Sequence, residues 1–333
     1  MGRLVLFTIM MKKNSHFMKN EFKRSKIQFC PVCSSKKIEN SFINFDDRYG
    51  QPDLFTLAKC KKCSAYYLLD PVSSTDIGKL YKKYYPSLNI PPGQGSKIQK
   101  ILSVAKPLLH LVKKIDATET LISRVKNDSS VLDVGCGYYP RLKNEIDDKN
   151  LDWEGLEIDE KLVKTINSAG LVCHQGSLAS FRSSKKYDYI LMSQVIEHQL
   201  QLKEAMEKVA KLLKKGGKCL ILTPNTDNLS IINDVKSWIH WHTPYHTVLF
   251  NLKSMSVLAG INKFKINTYK TYTPTNWELL TRNFRSPIRG QKNKSFHYKF
   301  SPLEYFLVSL SLRIRDLQKP SCNPCMFCEL EKR

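Results

Sequence analysis

The sequence predicts an α/β protein: a doubly wound, mostly parallel sheet preceded by a small zinc-ribbon-like unit. Three observations carry that expectation. From residue 131 onward, apolar strand-like runs alternate with helical periodicity. Two glycines follow directly on the first of those runs. Upstream, two Cys-x-x-Cys pairs stand 26 residues apart. Strands alternating with helices favour a parallel sheet with helices on both faces.

In chain order, residues 1–29 read as a polar, basic leader. The short apolar stretch Leu4–Met11 has no small-residue cleavage site, so no secretion signal is expected, and Met11 and Met18 are alternative starts. Residues 30–70 form a compact unit. Cys30, Cys33, Cys60 and Cys63 supply four soft thiolates at two tight turns, enough to close one tetrahedral zinc shell. A shell of four protein ligands leaves no open position, so such a zinc is structural. Between the pairs, NSFINF and LFTLAKC read as short strands.

Residues 71–130 read as a helical linker region. Pro71 closes the cysteine unit, PPGQG marks a break at 91–95, and Ile98–Ile115 shows apolar residues at helical spacing with lysines between them. Pro107 divides that helix.

Residues 131–285 hold the alternating domain. VLDV, WEGLEI, LVCHQ, YDYILMS and CLILTP are its strands, and Leu202, Met206, Val209 and Leu213 mark a helix expected to stop at Gly216–Gly217. Residues 286–333 read as a basic helix, SPLEYFLVSLSLRIRDLQ, followed by a cysteine-rich tail. Cys322, Cys325 and Cys328 offer three ligands without a fourth, so the tail is expected to be disordered.

The net charge of +23 is uneven: +13 over residues 1–130, +1 over 131–260 and +9 over 261–333. Basic flanks around a neutral middle suit an anionic partner, whether a membrane surface or a nucleic acid, or simply solvated lysines. No apolar run approaches the roughly 18 residues that span a bilayer.

VLDVGCG brings backbone close to a ligand at the carboxyl end of a strand, and Glu157 ends the next strand 20 residues after Gly137. That spacing suits a carboxylate on ribose hydroxyls. With GLEIDEKLV, YDYILMSQVIEH and LLKKGGKCLILTPN following in order, the chain resembles the class I S-adenosylmethionine-dependent methyltransferases, whose sheet is Rossmann-like. CPVC, FDDRYGQPDLFTLAKCKKCSAYYLLDP and HWHTPYHTVLF further resemble a bacterial subgroup with an N-terminal zinc-binding segment, associated with sugar, polysaccharide or lipid-linked glycan modification.

The resemblance implies S-adenosylmethionine as cofactor. Asp133, Gly135 and Gly137 would line its methionine and ribose side, Glu157 would hold the ribose hydroxyls, and Ser177 and Leu178 would flank the adenine. Tyr139 departs from the pattern, which usually carries a glycine there, and so does the tail, where the family ends in an apolar strand. His198, after the fourth strand, and His246, in the acceptor-side loop, are the candidate catalytic residues, because a histidine is the natural base near neutral pH. The expected reaction is methyl transfer to a sugar or glycan-linked small molecule in the cytoplasm, at the oxygen rather than at carbon, with peripheral contact to an anionic membrane. The alternatives are a zinc-ribbon RNA methyltransferase, for which no base-binding motif is seen, or a non-catalytic zinc-binding module.

Overall fold

The structure is a computed structural model describing residues 20–85, 121–137, 143–232, 234–235, 238–284, 287–297, 301–318 and 320–333. Ile98–Ile115 and Tyr139, singled out from the sequence, lie outside the described residues.

The amino-terminal strands are β1 (Ile38–Phe45), β2 (Leu54–Cys60) and β3 (Tyr66–Leu68), followed by helix α1 (Ile77–Tyr84). The alternating part runs β4 (Ser130–Val134), α2 (Lys143–Asp148), β5 (Asp152–Glu157), α3 (Glu160–Ser168), β6 (Val172–Gln175), β7 (Tyr187–Ser193), α4 (Leu202–Leu212) and β8 (Leu213–Pro224). It continues with β9 (Val248–Leu249), α5 (Leu252–Ile261), β10 (Phe264–Tyr272), α6 (Thr275–Asn283), α7 (Pro302–Gln318) and β11 (Cys325–Lys332). The helix read from Leu202 ends at Leu212, and Gly216–Gly217 lie within β8 rather than capping the helix.

The main sheet has seven strands in the order β10-β11-β8-β7-β4-β5-β6. Neighbours from β8 to β6 pair in parallel, and β11 runs antiparallel to both of its neighbours. The chain moves outward from β4 through β5 to β6, then returns to the other side of β4 with β7. A reversal of that kind opens a cleft beyond the carboxyl ends of β4 and β7, where ligands of such sheets bind. β4 is buried along its whole length, as a strand covered on both faces must be.

The tail corrects the sequence reading. Residues 325–332 are not disordered: they are β11, inserted between β8 and β10 with Cys325 opposite Pro224 and Glu331 opposite Lys218. Cys325 and Cys328 lie on opposite faces of the sheet, each in the core of its own side, so they cannot share a metal. The sheet therefore extends past residue 285, into the segment read as a separate basic flank. The preceding turn is stitched down as well. Asn225 donates from its side-chain amide to the carbonyls of Ser321 and Asn323, and Asn228 to that of Cys322. CNPCMFCELEK was misread because its cysteines suggested metal; with cysteine taken as a small buried apolar residue, it reads as a strand.

The amino-terminal unit forms a four-stranded sheet, β1-β2-β3-β9, whose last strand comes from residues 248–249. Its cysteines share one apolar core with Ile190, Met192, Ile196 and Phe250 of the larger sheet's side. The two Cys-x-x-Cys turns repeat one geometry. The amide of Ser34 bonds to the carbonyl of Cys30 and that of Ser64 to Cys60, each serine adopting positive φ. Cys30 and Cys63 Sγ lie 3.5 Å apart, and Cys33 and Cys60 Sγ 3.6 Å. Thiolates at about 2.3 Å from one tetrahedral ion stand about 3.8 Å from each other, so the four sulfurs fit a structural zinc with little movement. They are far too distant for disulfides.

α7 packs Val308 and Leu312 against Leu279 of α6. Its opposite side leaves Leu303, Leu307, Leu310, Ile314 and Leu317 exposed. Among the described residues, no helix is long and apolar enough to cross a membrane.

Candidate active site

Two strand ends build the site. After β4, Gly135 and Gly137 both take positive φ, +63° and +59°. A side chain at Gly135 would place Cβ 2.7 Å from Val195 Cγ2, so the turn after β4 presses directly on the turn after β7. At Gly137 a Cβ would meet nothing nearer than 4.0 Å, which leaves the backbone open to a ligand.

Glu157, at the end of β5, is buried and accepts three backbone N–H bonds: from Gly137 at 3.0 Å on Oε2, and from Ile158 at 2.7 Å and Asp159 at 3.1 Å on Oε1. This carboxylate ties the glycine turn to β5, a role the sequence did not reveal. Asp133 is buried within β4 beneath the turn. Ser177 is exposed, in a turn closed by the Ser180 hydroxyl at 3.0 Å from its amide, whereas Leu178 is buried in the core. An open glycine backbone beside a buried carboxylate fits the adenosyl part of S-adenosylmethionine. Gly135, Gly137 and Glu157 are the residues that could hold it.

The turn after β7 carries Glu197 and His198 in a short 3-10 helix, Ile196–His198. The loop at 238–247 brings three more histidines beside them. His198 Nδ1 lies 2.9 Å from the Tyr245 carbonyl and 3.1 Å from the Tyr81 hydroxyl; His246 Nδ1 lies 2.8 Å from the His240 carbonyl. A carbonyl only accepts, so both Nδ1 atoms carry the proton and both Nε2 atoms are left as lone pairs. The His198 and His246 rings are 4.7 Å apart, and His242 Nδ1 stands 3.4 Å from His246 Nε2. His240 packs its ring against Trp277 at 4.1 Å and Trp238 at 5.1 Å.

Four tyrosines close around this group. Tyr49 lies 5.5 Å and Tyr245 4.9 Å from the His242 ring, and Tyr85 lies 5.9 Å from it; Tyr81 lies 5.1 Å from Tyr85 and 5.3 Å from Tyr245. Burial pushes the Tyr85 hydroxyl up, and the fields of Glu197 and Glu157 add to that push against Arg48 and Tyr49. Tyr85 thus feels the carboxylates of both Glu157 and Glu197 and packs against the His242 ring.

Burial holds the histidines neutral. It carries His198 down to about 4, with the Tyr245 carbonyl partly opposing, and His240, His242 and His246 well below the ordinary range. Burial pushes Glu197 up to about 8, only partly offset by hydrogen bonds, among them the Thr223 hydroxyl at 2.9 Å. Glu197 Oε1, His242 Nε2 and the Tyr245 hydroxyl are buried without a hydrogen-bond partner. Buried polar atoms left in this state cost about 1–3 kcal/mol each, so three in one cluster mark it as a candidate binding site.

The structure brings His198 and His246 together, as the sequence could not show. Sequence reasoning missed Glu197, Tyr49, Tyr81, Tyr85 and Tyr245. The one signal available was the grouping of tyrosines in KLYKKYYP and FDDRYG, which resembles nothing more specific than an aromatic patch.

Residues 108–265 match a family model described as a methyltransferase domain. No curated protein matches. Similar solved structures include a SAM-dependent methyltransferase from Archaeoglobus fulgidus (14% identity, 68% of this chain and 94% of that one, TM-score 0.44). Phosphoethanolamine N-methyltransferase 2 from Haemonchus contortus, solved with S-adenosyl-L-methionine, is similar at 17% identity over 68% of this chain and 52% of that one, with TM-score 0.42. The [4+2]-cyclase SpnF is similar at 12% over 71% and 95%, with TM-score 0.45. Likeness at this level says nothing about the reaction, as the cyclase among them illustrates. The matched domain is the weightier finding, for it contains both walls of the cleft, the glycine turn after β4 and the histidine turn after β7: this chain carries a methyltransferase domain.

Proposed function

We propose that the acceptor is a sugar or glycan-linked small molecule and that the methyl group goes to one of its hydroxyl oxygens. The observation that supports this reading is the cluster of tyrosines and neutral histidines at the turn after β7, next to the glycine turn after β4. Aromatic faces suit the C–H faces of a sugar ring, and the unpartnered atoms of Glu197, His242 and Tyr245 suit its hydroxyls. S-adenosylmethionine, when bound, supplies the methyl carbon, whose bond to sulfur breaks as the bond to oxygen forms. Glu157 and the glycine turn hold the adenosyl end. The tyrosine ring cluster orients the acceptor and keeps water out. The hydroxyl proton leaves at the His198–His246 pair, where both Nε2 lone pairs are available at neutral pH.

The structural zinc is part of the proposal, with Cys30, Cys33, Cys60 and Cys63 as its ligands. Its contribution is to hold β3, whose Tyr66 and Tyr67 pair with Leu249 and Val248 and so anchor the loop that carries His246. A peripheral membrane contact, if the acceptor is lipid-linked, would rest on the exposed apolar stripe of α7.

The test is transfer of labelled methyl from S-adenosylmethionine to a panel of free and lipid-linked glycans. His198→Gln is expected to lower kcat by about 100-fold or more, the usual span for losing a group that handles a proton in the transition state. Its cofactor affinity should stay within about threefold of wild type. Labelling confined to RNA, with every glycan unmodified, would overturn the reading.

A further inference from the structure

The pocket contains a constellation with chemistry of its own. One ligating atom each from Glu197, His198 and His246 lie within 4.8 Å of one another, and among the described residues the zinc-unit cysteines are the only other group that close. We infer that Glu197, His198 and His246 form a second metal site, for a first-row divalent transition-metal ion such as Mn²⁺, Fe²⁺ or Co²⁺.

Three features support this. The donor set of two imidazoles and one carboxylate suits first-row transition ions, and three ligands leave positions open for substrate. Both imidazoles are already oriented: each Nδ1–H donates to a backbone carbonyl, Tyr245 for His198 and His240 for His246. That is the outer arrangement that fixes metal-binding histidines and presents Nε2 to the ion. Glu197 is fully buried, held through Oε2 by the Thr223 hydroxyl, with Oε1 unpartnered. A buried carboxylate oxygen with nothing to bond is a standing cost that a cation removes.

The His242 contact to His246 Nε2, at 3.4 Å, is stretched, and the ion would replace it. Arg48, whose field reaches these rings, faces Asp47 at 3.3 Å, which offsets its charge. Ligand atoms 4.8 Å apart must close by about 1–2 Å to share an ion at roughly 2.1 Å, a movement within reach of side-chain rotation in a short 3-10 turn and a loop.

The inference rests on the reading of this pocket as the acceptor site. A cation here would hold the acceptor oxygen and acidify its hydroxyl, in the way a metal makes a bound oxygen a nucleophile at neutral pH; with both Nε2 atoms of His198 and His246 on the ion, the proton would pass to the unpartnered Nε2 of His242 instead.

Mn²⁺ is the probe, because a four-thiolate site disfavours it. Titrating the zinc-replete full chain with Mn²⁺ and following the free-ion electron paramagnetic resonance signal should show one bound ion per chain. Spin-echo modulation on the bound ion should report imidazole nitrogen. Glu197→Gln, nearly isosteric, and His246→Gln should each weaken binding at least tenfold. A wild-type chain that leaves the Mn²⁺ signal unchanged, or a bound ion with no nitrogen coupling, overturns the site; the echo measurement decides even where a variant fails to fold. Transfer of labelled methyl to the glycan panel by the same samples separates the two ideas. Glycan labelling without Mn²⁺ binding refutes only the metal site, whereas loss of both refutes the acceptor-pocket reading with it.

Discussion

The cofactor side and the acceptor side of the cleft are built in opposite ways. On the proposed cofactor side, the glycine turn and the carboxylate that fastens it lie within one stretch: β4, the turn and Glu157 span residues 130–157, and the Gly137–Glu157 hydrogen bond ties them together. On the acceptor side, Tyr49, Tyr81, Tyr85, His198, His242 and Tyr245 come from four separate parts of the chain. They meet only because β3 pairs with β9 and the Thr247 amide bonds to the Glu197 carbonyl at 2.8 Å. One side is a local motif; the other is a product of tertiary structure. Damage far from the cleft should therefore reach the acceptor side and spare the cofactor side.

The most severe test removes β11. Its Met326, Phe327 and Leu330 are almost fully buried, each worth roughly 1.5–3 kcal/mol on burial, and two ladders go with them. Against a whole-domain stability of about 5–15 kcal/mol, this should leave no folded protein. Ending the chain at residue 320 and recording circular dichroism and cofactor binding checks it; a soluble truncation that still binds S-adenosylmethionine would show that the strand is dispensable.

The second test is selective. Cys60→Ser combined with Cys63→Ser, or chelation of the wild type, should remove one zinc per chain, measured by metal analysis. Methyl transfer should fall about tenfold or more as the β3–β9 pairing loosens, while cofactor affinity stays within about threefold. Equal loss on both sides would erase the distinction drawn above.

The third test sharpens the cofactor side alone. Glu157→Ala removes bonds to a charged acceptor worth roughly 1.5–3 kcal/mol each, so cofactor affinity should weaken about tenfold or more by calorimetry. Because Glu157 also fastens the Gly137 amide, hydrogen exchange at the glycine turn should rise in the same variant. Unchanged affinity would mean that the cofactor lies elsewhere.

These contrasts also explain what could be read beforehand. The alternating strands, the glycine turn, Glu157 and the cysteine pairs are local patterns, and each stands at its expected place. Tyr81 and Tyr85 were illegible because nothing in KLYKKYYP tells that α1 lies beside a histidine loop some 160 residues later. Glu197 was passed over because an acidic residue next to a histidine reads as surface, whereas the 3-10 turn points it inward. The tail failed for a different reason: its three cysteines at spacing three drew attention from an apolar pattern that was present all along.

The position of β11 bears also on how the sheet comes together in time. Its neighbours β8 and β10 end at Pro224 and Tyr272, about 100 and about 50 residues before Cys325, and neither pairs with the other. A gap one strand wide must stay open, with the apolar edges of both neighbours unpaired, until residues 325–332 arrive. Closing it draws on contacts distant in sequence, the kind that slow folding and expose intermediates to association. The stitching of Ser321, Cys322 and Asn323 by Asn225 and Asn228 gives that late strand a fixed starting point, so that its register is chosen once, at the turn, and then propagates along the sheet.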